Sequence, residues 1–408
     1  MAKYSVRGGG GGAPALDLRL QLRLLRLAGA WGPSPSASST SLPYAGYSAA
    51  VVLLLLAFVG SQVSAMLHFW GDILSVTTNA CVTFTYTMAM FKLLVVLIMR
   101  PSAEYLIQEL NRCMQEYGRD LSSEKAAVLA RCGRLSRHVA AAHVAIGAVA
   151  YVCGVALPAA RGRLCPSAAC RAADGFPVLV WYPFPFTVSP AYELVFAAVS
   201  LDFFYGYILS TTLDGFFVTL IIYVSGQLRL LNLMAQNVCA GAGGGGSEAS
   251  EQRVRDRLAQ CVRYHTDVDR CVQRLSALLG PILLGQVLAD VVTISATAFV
   301  TTTGKTDSGW VFKYGSYLAA IAEQLLLYCW FGNDVLTESE RLQLSAYSSQ
   351  WVSAPARFRK GLLVFLCRAH RPLRLTASKF YTISRETFLL LMNASFSYYA
   401  VLRQLNSD

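Results

Sequence analysis

The sequence predicts an all-α integral membrane protein with seven transmembrane helices, a cytoplasmic N-terminus and an extracellular C-terminus. Only 14% of its 408 residues are charged and 54% are hydrophobic, whereas soluble proteins carry about 25% charged residues. The apolar residues lie in seven runs, each long enough to cross about 30 Å of hydrocarbon. Lysine and arginine are concentrated in alternate segments between these runs, and this asymmetry gives the orientation.

The seven runs differ in length and polarity. In chain order they are Tyr47–Phe69, Ile73–Met99, Val139–Leu157, Ala191–Val224, Leu278–Val300, Trp310–Phe331 and Phe380–Leu402. The second contains Lys92, whose ammonium group we expect to extend toward an interface. The fourth is longer than one bilayer thickness at about 1.5 Å per residue, so it should tilt or project from the membrane. The seventh is the least apolar.

The orientation follows from the positions of the basic residues. Of the 35 lysines and arginines, 27 lie in segments 1–46, 99–137, 225–277 and 334–379. Basic loops are retained on the cytoplasmic side, so these segments and the N-terminus are predicted to be cytoplasmic. G-protein-coupled receptors also have seven helices but an outside N-terminus, so this class is disfavoured.

The sequence gives no sign of catalysis, metal binding or nucleic-acid binding. It contains no phosphate-binding glycine loop, nucleophile elbow or His-Glu-x-x-His motif, so we predict neither an enzyme nor a cofactor. His138 and His143 are five residues apart and do not share a helical face, so we predict no metal site. The net charge of +11 is explained by orientation and by attraction to anionic membrane lipid, and it requires no nucleic acid.

Two cysteines and four acidic residues have positions that matter. Cys165 and Cys170 fall in a predicted extracellular loop, where a disulfide can persist; we predict that bond, and two free thiols are the alternative. Four carboxylates interrupt the spans. We favour hydrogen-bonded packing for them, with an ion pathway or a gating contact as the alternative. These four residues are Asp202, Asp214, Asp290 and Glu323.

The seventh span allows two interpretations. Its helical phase places Ala394, Ser397, Val401, Gln404 and Leu405 along one stripe. A narrow stripe of small, polar and apolar groups suits a water-filled pore with a hydrophobic constriction. It also suits a buried helix packed by small residues against its neighbours. The pattern alone leaves both open.

Several short motifs resemble those of a known family. They are Leu27 to Pro33, Trp181-Tyr182-Pro183, Ser189-Pro190-Ala191-Tyr192-Glu193, Gly332-Asn333, Glu338-Ser339, Trp351, Arg371-Pro372-Leu373, Phe380 and the run from Ser397 to Gln404. In this order along the chain they resemble the insect odorant receptors. The end is also similar to the Thr-Tyr-five-apolar-Gln signature of gustatory receptors, with Ser397 in place of Thr and Arg403 in place of an apolar residue.

The resemblance implies a ligand-gated, non-selective cation channel of four subunits. In that family a variable chain binds small volatile odorants and a common coreceptor completes the heterotetramer. Helix seven of each subunit lines the pore, which places Val401 and Leu405 at the gate with Gln404 and Ser397 beside them. The coreceptor's long loop before span five is replaced here by Gly241 to Ser247, so this chain resembles a tuning subunit.

The resemblance also implies an odorant pocket in the outer half, between spans two, three, four and six. Residues of suitable depth and chemistry are Thr77, Cys81, Gly147, Tyr151, Phe203, Tyr207, Tyr314 and Tyr317. Within each helix they are three or four residues apart and share a face. Aromatic walls with a few hydroxyls suit a small, mostly apolar ligand.

These expectations divide the chain into four parts. Residues 1–46 form a cytoplasmic segment, and 47–331 form a sensing domain of six spans with their loops. Residues 332–379 form a helical cytoplasmic anchor, and 380–408 form the pore helix with a short extracellular tail. The expected location is the plasma membrane of olfactory sensory neurons. A gustatory-type channel is the main alternative, ahead of a G-protein-coupled receptor or a transporter.

Overall fold

A computed structural model describes residues 16, 18–32, 38–118, 123–164, 175–240, 248–304 and 307–406. The chain is almost entirely helical in these ranges, which confirms the predicted all-α class. Its helices are α1 (Arg19–Leu27), α2 (Ser38–His68), α3 (Ile73–Tyr117), α4 (Ser123–Leu164), α5 (Ala191–Gln236), α6 (Glu248–Thr303), α7 (Ser308–Tyr347), α8 (Ala356–Ala369) and α9 (Arg385–Leu405). A short hairpin pairs β1 (Thr376–Ala377) with β2 (Tyr381–Thr382) in antiparallel register. Cys165 and Cys170 lie outside the described residues.

The first six predicted spans correspond in order to the helices α2 to α7, and only Phe69, one residue past the end of α2, falls outside its helix. Several of these helices continue past the apolar run on the predicted cytoplasmic side; α3 extends to Tyr117 and α7 to Tyr347. The division at residue 332 therefore falls inside a continuous helix. Among the described residues, the helices α2 to α6 are long and apolar enough to cross a membrane. Helices α7 and α9 are more polar and are not among these five. The count of seven spans and the orientation of the termini stay predictions.

The seventh predicted span begins too early in the sequence. Phe380 lies in the hairpin turn rather than in a helix, because Ser378 and Lys379 have φ values of 47° and 70°, which no helix accommodates. Helix α9 begins after Ser384, which is its N-cap. The backbone of Ser384 is extended, and its side-chain oxygen accepts a hydrogen bond from the Thr387 amide at 3.2 Å. The apolar composition of residues 380–384 hid this boundary.

Helix α5 is the central element of the bundle. It is apolar on all sides through the run from Phe216 to Val224, a pattern typical of a fully buried helix. Accordingly, 89% of its most apolar window is buried. It packs against α4, α6, α7 and α3, and the amphipathic α1 lies against it with Leu22 and Leu25 buried.

A buried ion pair links three helices near the middle of the bundle. The Lys92 ammonium on α3 lies 2.6 Å from Asp214 Oδ1 on α5, and both side chains are 1% exposed. The Tyr328 hydroxyl on α7 donates to the same oxygen at 2.5 Å, and Gln324 donates to the other one. The expectation that Lys92 extends to an interface is wrong, because the Asp214 carboxylate, buried in α5, pairs with it within the bundle. Asp214 has the packing role that the sequence favoured for the acidic residues.

We expect Lys92→Met to destabilise the protein strongly, because it leaves the Asp214 charge buried and unpaired, at a cost of about 3–5 kcal/mol. The double variant Lys92→Met, Asp214→Asn should recover part of the loss, since an amide oxygen still accepts the hydrogen bonds. The measurement is the melting temperature of the detergent-purified protein. Lys360→Met, at an exposed site on α8, is the control and should melt like the parent. Equal melting of Lys92→Met and Lys360→Met would contradict the assignment.

Candidate functional site

A cavity of about 130 Å³ lies among α3, α4, α5 and α7. These helices carry predicted spans two, three, four and six. The α3 wall of the cavity begins at Thr85. Thr85 is 12 residues beyond the first residue of α3, which is about 18 Å along the helix at about 1.5 Å per residue. Five of the eight residues expected to bind ligand line the cavity: Gly147, Tyr151, Phe203, Tyr207 and Tyr317.

The other three expected residues lie elsewhere. Tyr314 lines a second cavity of about 180 Å³, nearer the helix ends and beside Arg161 and Lys313. Cys81 does not line the first cavity, but its carbonyl oxygen accepts a hydrogen bond at 3.1 Å from the hydroxyl of Tyr317, which does. Thr77 is one turn further out on α3. The α3 wall of this cavity is formed by Thr85, Tyr86 and Ala89, which begin about two turns beyond Thr77. That Thr77 and Cys81 contact a ligand stays a prediction.

The cavity walls are aromatic and closely packed. The Tyr151 and Tyr207 rings stack with centroids 5.7 Å apart and planes inclined by 17°. On the opposite side, Tyr86 lies 5.9 Å from Phe203 and 4.4 Å from Phe58. Aromatic rings with restricted rotamers give a preformed apolar surface, which is typical of small-molecule sites.

Three tyrosine hydroxyls of these walls are already bonded to the protein. Tyr207 donates to the Val144 carbonyl at 2.8 Å, and Tyr86 donates to the Asp202 carbonyl at 3.1 Å. Tyr317 shares a 2.5 Å hydrogen bond with the Thr85 hydroxyl. The sequence suggested that hydroxyls would orient a ligand, but in the structure these three orient the rings.

Two glycines allow the rings to cross neighbouring helices closely. A Cβ atom on Gly147 would lie 2.8 Å from Tyr207 Cε2, and one on Gly206 would lie 2.5 Å from Tyr86 Cζ. Both separations are shorter than real Cβ contacts, so any larger residue would move the ring. The expected role of Gly147 is thus refined: it makes room for Tyr207.

The inner end of the cavity is polar. His143 Nδ1 on α4 lies 2.8 Å from Glu323 Oε2 on α7, and both residues line the cavity. Gln324 and Ser210 also line it and donate to Asp214, with the Ser210 contact at 3.2 Å. The polar end therefore joins the Lys92–Asp214 pair. Sequence reasoning placed Glu323 in a span and assigned His143 no role, because the two are 180 positions apart.

The expected pore residues lie on one exposed side of α9. Val401 and Leu405 are 55% and 60% exposed, and Ser397 and Gln404 are also exposed. The opposite side buries Thr387, Leu391 and Ser395 against the bundle. Within the part of the chain that the structure describes, nothing covers the Val401 side, so the helix is not fully buried in a single chain.

An aromatic-lined cavity between the helices of a bundle is typical of a site for a small, mostly apolar molecule. Comparison with known proteins specifies the class. A sequence profile described as 7tm Odorant receptor matches residues 72–396. Odorant receptor 10 of Aedes albopictus is 23% identical over 339 residues, which cover 83% of this chain and 86% of that protein.

Two further similarities agree. The solved structure of the olfactory receptor OR5 from Machilis hrabei, in complex with eugenol, has a TM-score of 0.81 at 18% identity and covers 95% of this chain and 97% of its own. The odorant receptor coreceptor of Anopheles gambiae is 28% identical over 159 residues, covering 38% of this chain but 32% of the coreceptor.

This chain belongs to the 7tm odorant receptor family, and it is a multi-pass membrane protein. The resemblance drawn from its motifs is confirmed. So is the prediction that it is not an enzyme, because the family consists of receptors. The match to Odorant receptor 10 covers most of both chains, whereas the coreceptor match covers about a third, which favours a tuning receptor.

We expect Gly147→Ala to narrow the cavity by displacing the Tyr207 ring. Responses to the larger members of a size-graded panel of volatile compounds should weaken by about tenfold or more, because overpacking costs about 1–3 kcal/mol. Responses to the smallest members should change little. The measurement is the concentration that gives a half-maximal response. Gly315→Ala on α7, where a Cβ meets nothing within 4 Å, should leave the ranking unchanged. The same ranking in both variants would rule out a ligand at this wall.

Proposed function

We propose that this chain is the odorant-binding subunit of a ligand-gated, non-selective cation channel. It assembles with coreceptor subunits into a heterotetramer in the plasma membrane of olfactory sensory neurons. The observation that carries the proposal is the aromatic cavity among α3, α4, α5 and α7 in a chain of the odorant receptor family. Small volatile odorants are the ligand class that this cavity fits.

The cavity size supports this ligand class. At about 130 Å³ it is comparable with an engineered cavity of about 150 Å³ that binds benzene. A ligand of about 10 heavy atoms, at about 0.6 kcal/mol each, binds with about −6 kcal/mol, which is a dissociation constant of tens of micromolar. Such affinity suits detection of many volatile compounds rather than one.

The exposed side of α9 supports the proposed pore. Val401 and Leu405 would meet their counterparts around the axis of a tetramer, with Gln404 and Ser397 on the same side of the helix. A ring of apolar side chains excludes water when narrow and admits hydrated cations after a small widening. The exposure of these residues in one subunit is what a pore formed between subunits requires.

Electrical recording in a heterologous cell tests the assembly. Cells expressing this chain with an insect coreceptor should give a rapid inward current to an odorant panel, and this chain alone should give none. The current should persist when the pipette contains a non-hydrolysable GDP analogue, because no G protein takes part. A current that requires G-protein turnover, or one that needs no coreceptor, would refute the proposal.

We expect Val401→Ser to raise the resting current of the channel several-fold, since a hydroxyl wets the constriction and lowers the barrier to ions. The measurement is the leak current blocked by a channel inhibitor, in the absence of odorant. Val292→Ser changes a valine that is 44% exposed within α6, and it is the matched control. If both variants leave the resting current unchanged, Val401 does not line the gate.

A further inference from the structure

The polar inner end of the cavity contains a carboxylate with a single identified partner. Glu323 lines the cavity with its side chain 17% exposed, and its one ion pair among the described residues is with His143. His143 is 5% exposed. Its Nε2 atom is buried without a hydrogen-bond partner in the described chain. The Glu323 carboxylate is thus partly accessible from the cavity, whereas His143 is buried.

The hydrogen bond from His143 orients the Glu323 carboxylate. An ionised carboxylate oxygen only accepts, so the imidazole donates to it from Nδ1, at 2.8 Å from Oε2. The other ring nitrogen, Nε2, is buried and has no hydrogen-bond partner among the described residues. His143 therefore holds one oxygen of Glu323 in place, and the other oxygen has no hydrogen bond to a described residue.

The neighbouring cation does not pair with Glu323. Lys92 is 1% exposed and pairs directly with Asp214 at 2.6 Å. Asp290, on α6, is held by a 2.5 Å hydrogen bond from Gln286. In the part of the chain that the structure describes, no lysine or arginine pairs with Glu323, and the His143 imidazole is its one basic partner.

The walls around Glu323 complete a recognisable kind of site. Tyr151, Tyr207 and Phe203 line the same cavity, and the hydroxyls of Tyr207 and Tyr86 are turned to protein carbonyls. The negative faces of aromatic rings attract an ammonium group, with about 0.5–2 kcal/mol per contact. An aromatic enclosure with one carboxylate at its end is a combination that favours a small organic cation.

We infer that this receptor selects small volatile amines, whose ammonium group binds Glu323 while the hydrocarbon part fills the aromatic cavity. The inference rests on the proposed function, because it takes this cavity as the odorant site. His143 is a positioning residue that orients the carboxylate. The walls contribute affinity for any molecule of the right size, and Glu323 distinguishes an amine from its neutral isosteres.

Three compounds of equal size test the inference. Benzylamine, benzyl alcohol and ethylbenzene each have eight heavy atoms, about the number that the cavity holds. The half-maximal concentration in cells with the coreceptor should be at least about tenfold lower for benzylamine than for ethylbenzene, as expected for a charge-assisted hydrogen bond. Glu323→Gln should remove this advantage and change the ethylbenzene response by less than about twofold, since the variant keeps the size of the side chain.

A second measurement separates this inference from the channel proposal. Benzylamine should raise the melting temperature of the purified parent more than ethylbenzene does, because a ligand stabilises the state that it binds. The difference should vanish in Glu323→Gln. Glu193→Gln, at an exposed site in the first turn of α5, is the matched control and should keep it. Stabilisation without any current would count against the channel and leave the amine site standing.

Two outcomes would overturn the inference. Equal potency of benzylamine and benzyl alcohol would show that Glu323 acts as a hydrogen-bond acceptor without selecting charge. Equal behaviour of all three compounds, unchanged by Glu323→Gln in both assays, would show that the polar end takes no part in binding. His143→Gln distinguishes positioning from contact: it should weaken benzylamine less than Glu323→Gln does, because an amide can still donate to the carboxylate.

Discussion

The arrangement of the helices around the cavity depends on the Lys92–Asp214 ion pair. The Lys92 and Asp214 side chains are each 1% exposed, and a buried charge is stable only when it is paired and hydrogen-bonded. Helices α3 and α5 must therefore keep the register that brings the two charges together. Tyr328 and Gln324 extend the same constraint to α7. Because Gln324 also lines the cavity, a network that fixes the packing of three helices forms part of the cavity wall.

Helix α7 joins this network to the helix that carries the expected gate. Almost three turns beyond Gln324, Asp334 accepts a hydrogen bond from Arg385 at 3.1 Å, and the Arg385 guanidinium lies 3.8 Å from the centre of the Trp330 ring. Arg385 is the first residue of α9. Helix α7 is therefore in direct contact with the start of the exposed helix, so any displacement of α7 would act on α9 through these contacts.

The sequence predicted the helices better than the site. Long apolar runs determine which segments span, and the same runs identified the four helices around the cavity. Depth along a helix is a different quantity: it depends on how neighbouring helices are offset, which is why Thr77 and Tyr314 were placed in a cavity that they do not line. The partners of Lys92, and the pairing of His143 with Glu323 across 180 positions, arise from tertiary packing that no local pattern contains.

Selectivity in such a cavity must come from its polar end rather than from its walls. One methylene more or less in an apolar pocket changes binding by about 1–3 kcal/mol, whereas a ligand that leaves a buried polar group unpaired is rejected far more strongly. The hydroxyls of Tyr86, Tyr207 and Tyr317 give little selectivity of this kind, because they are already bonded to the protein. Glu323 lies at the polar end of the cavity with His143 as its one ion-pair partner among the described residues, so under the proposed function it is the group whose pairing a ligand would change.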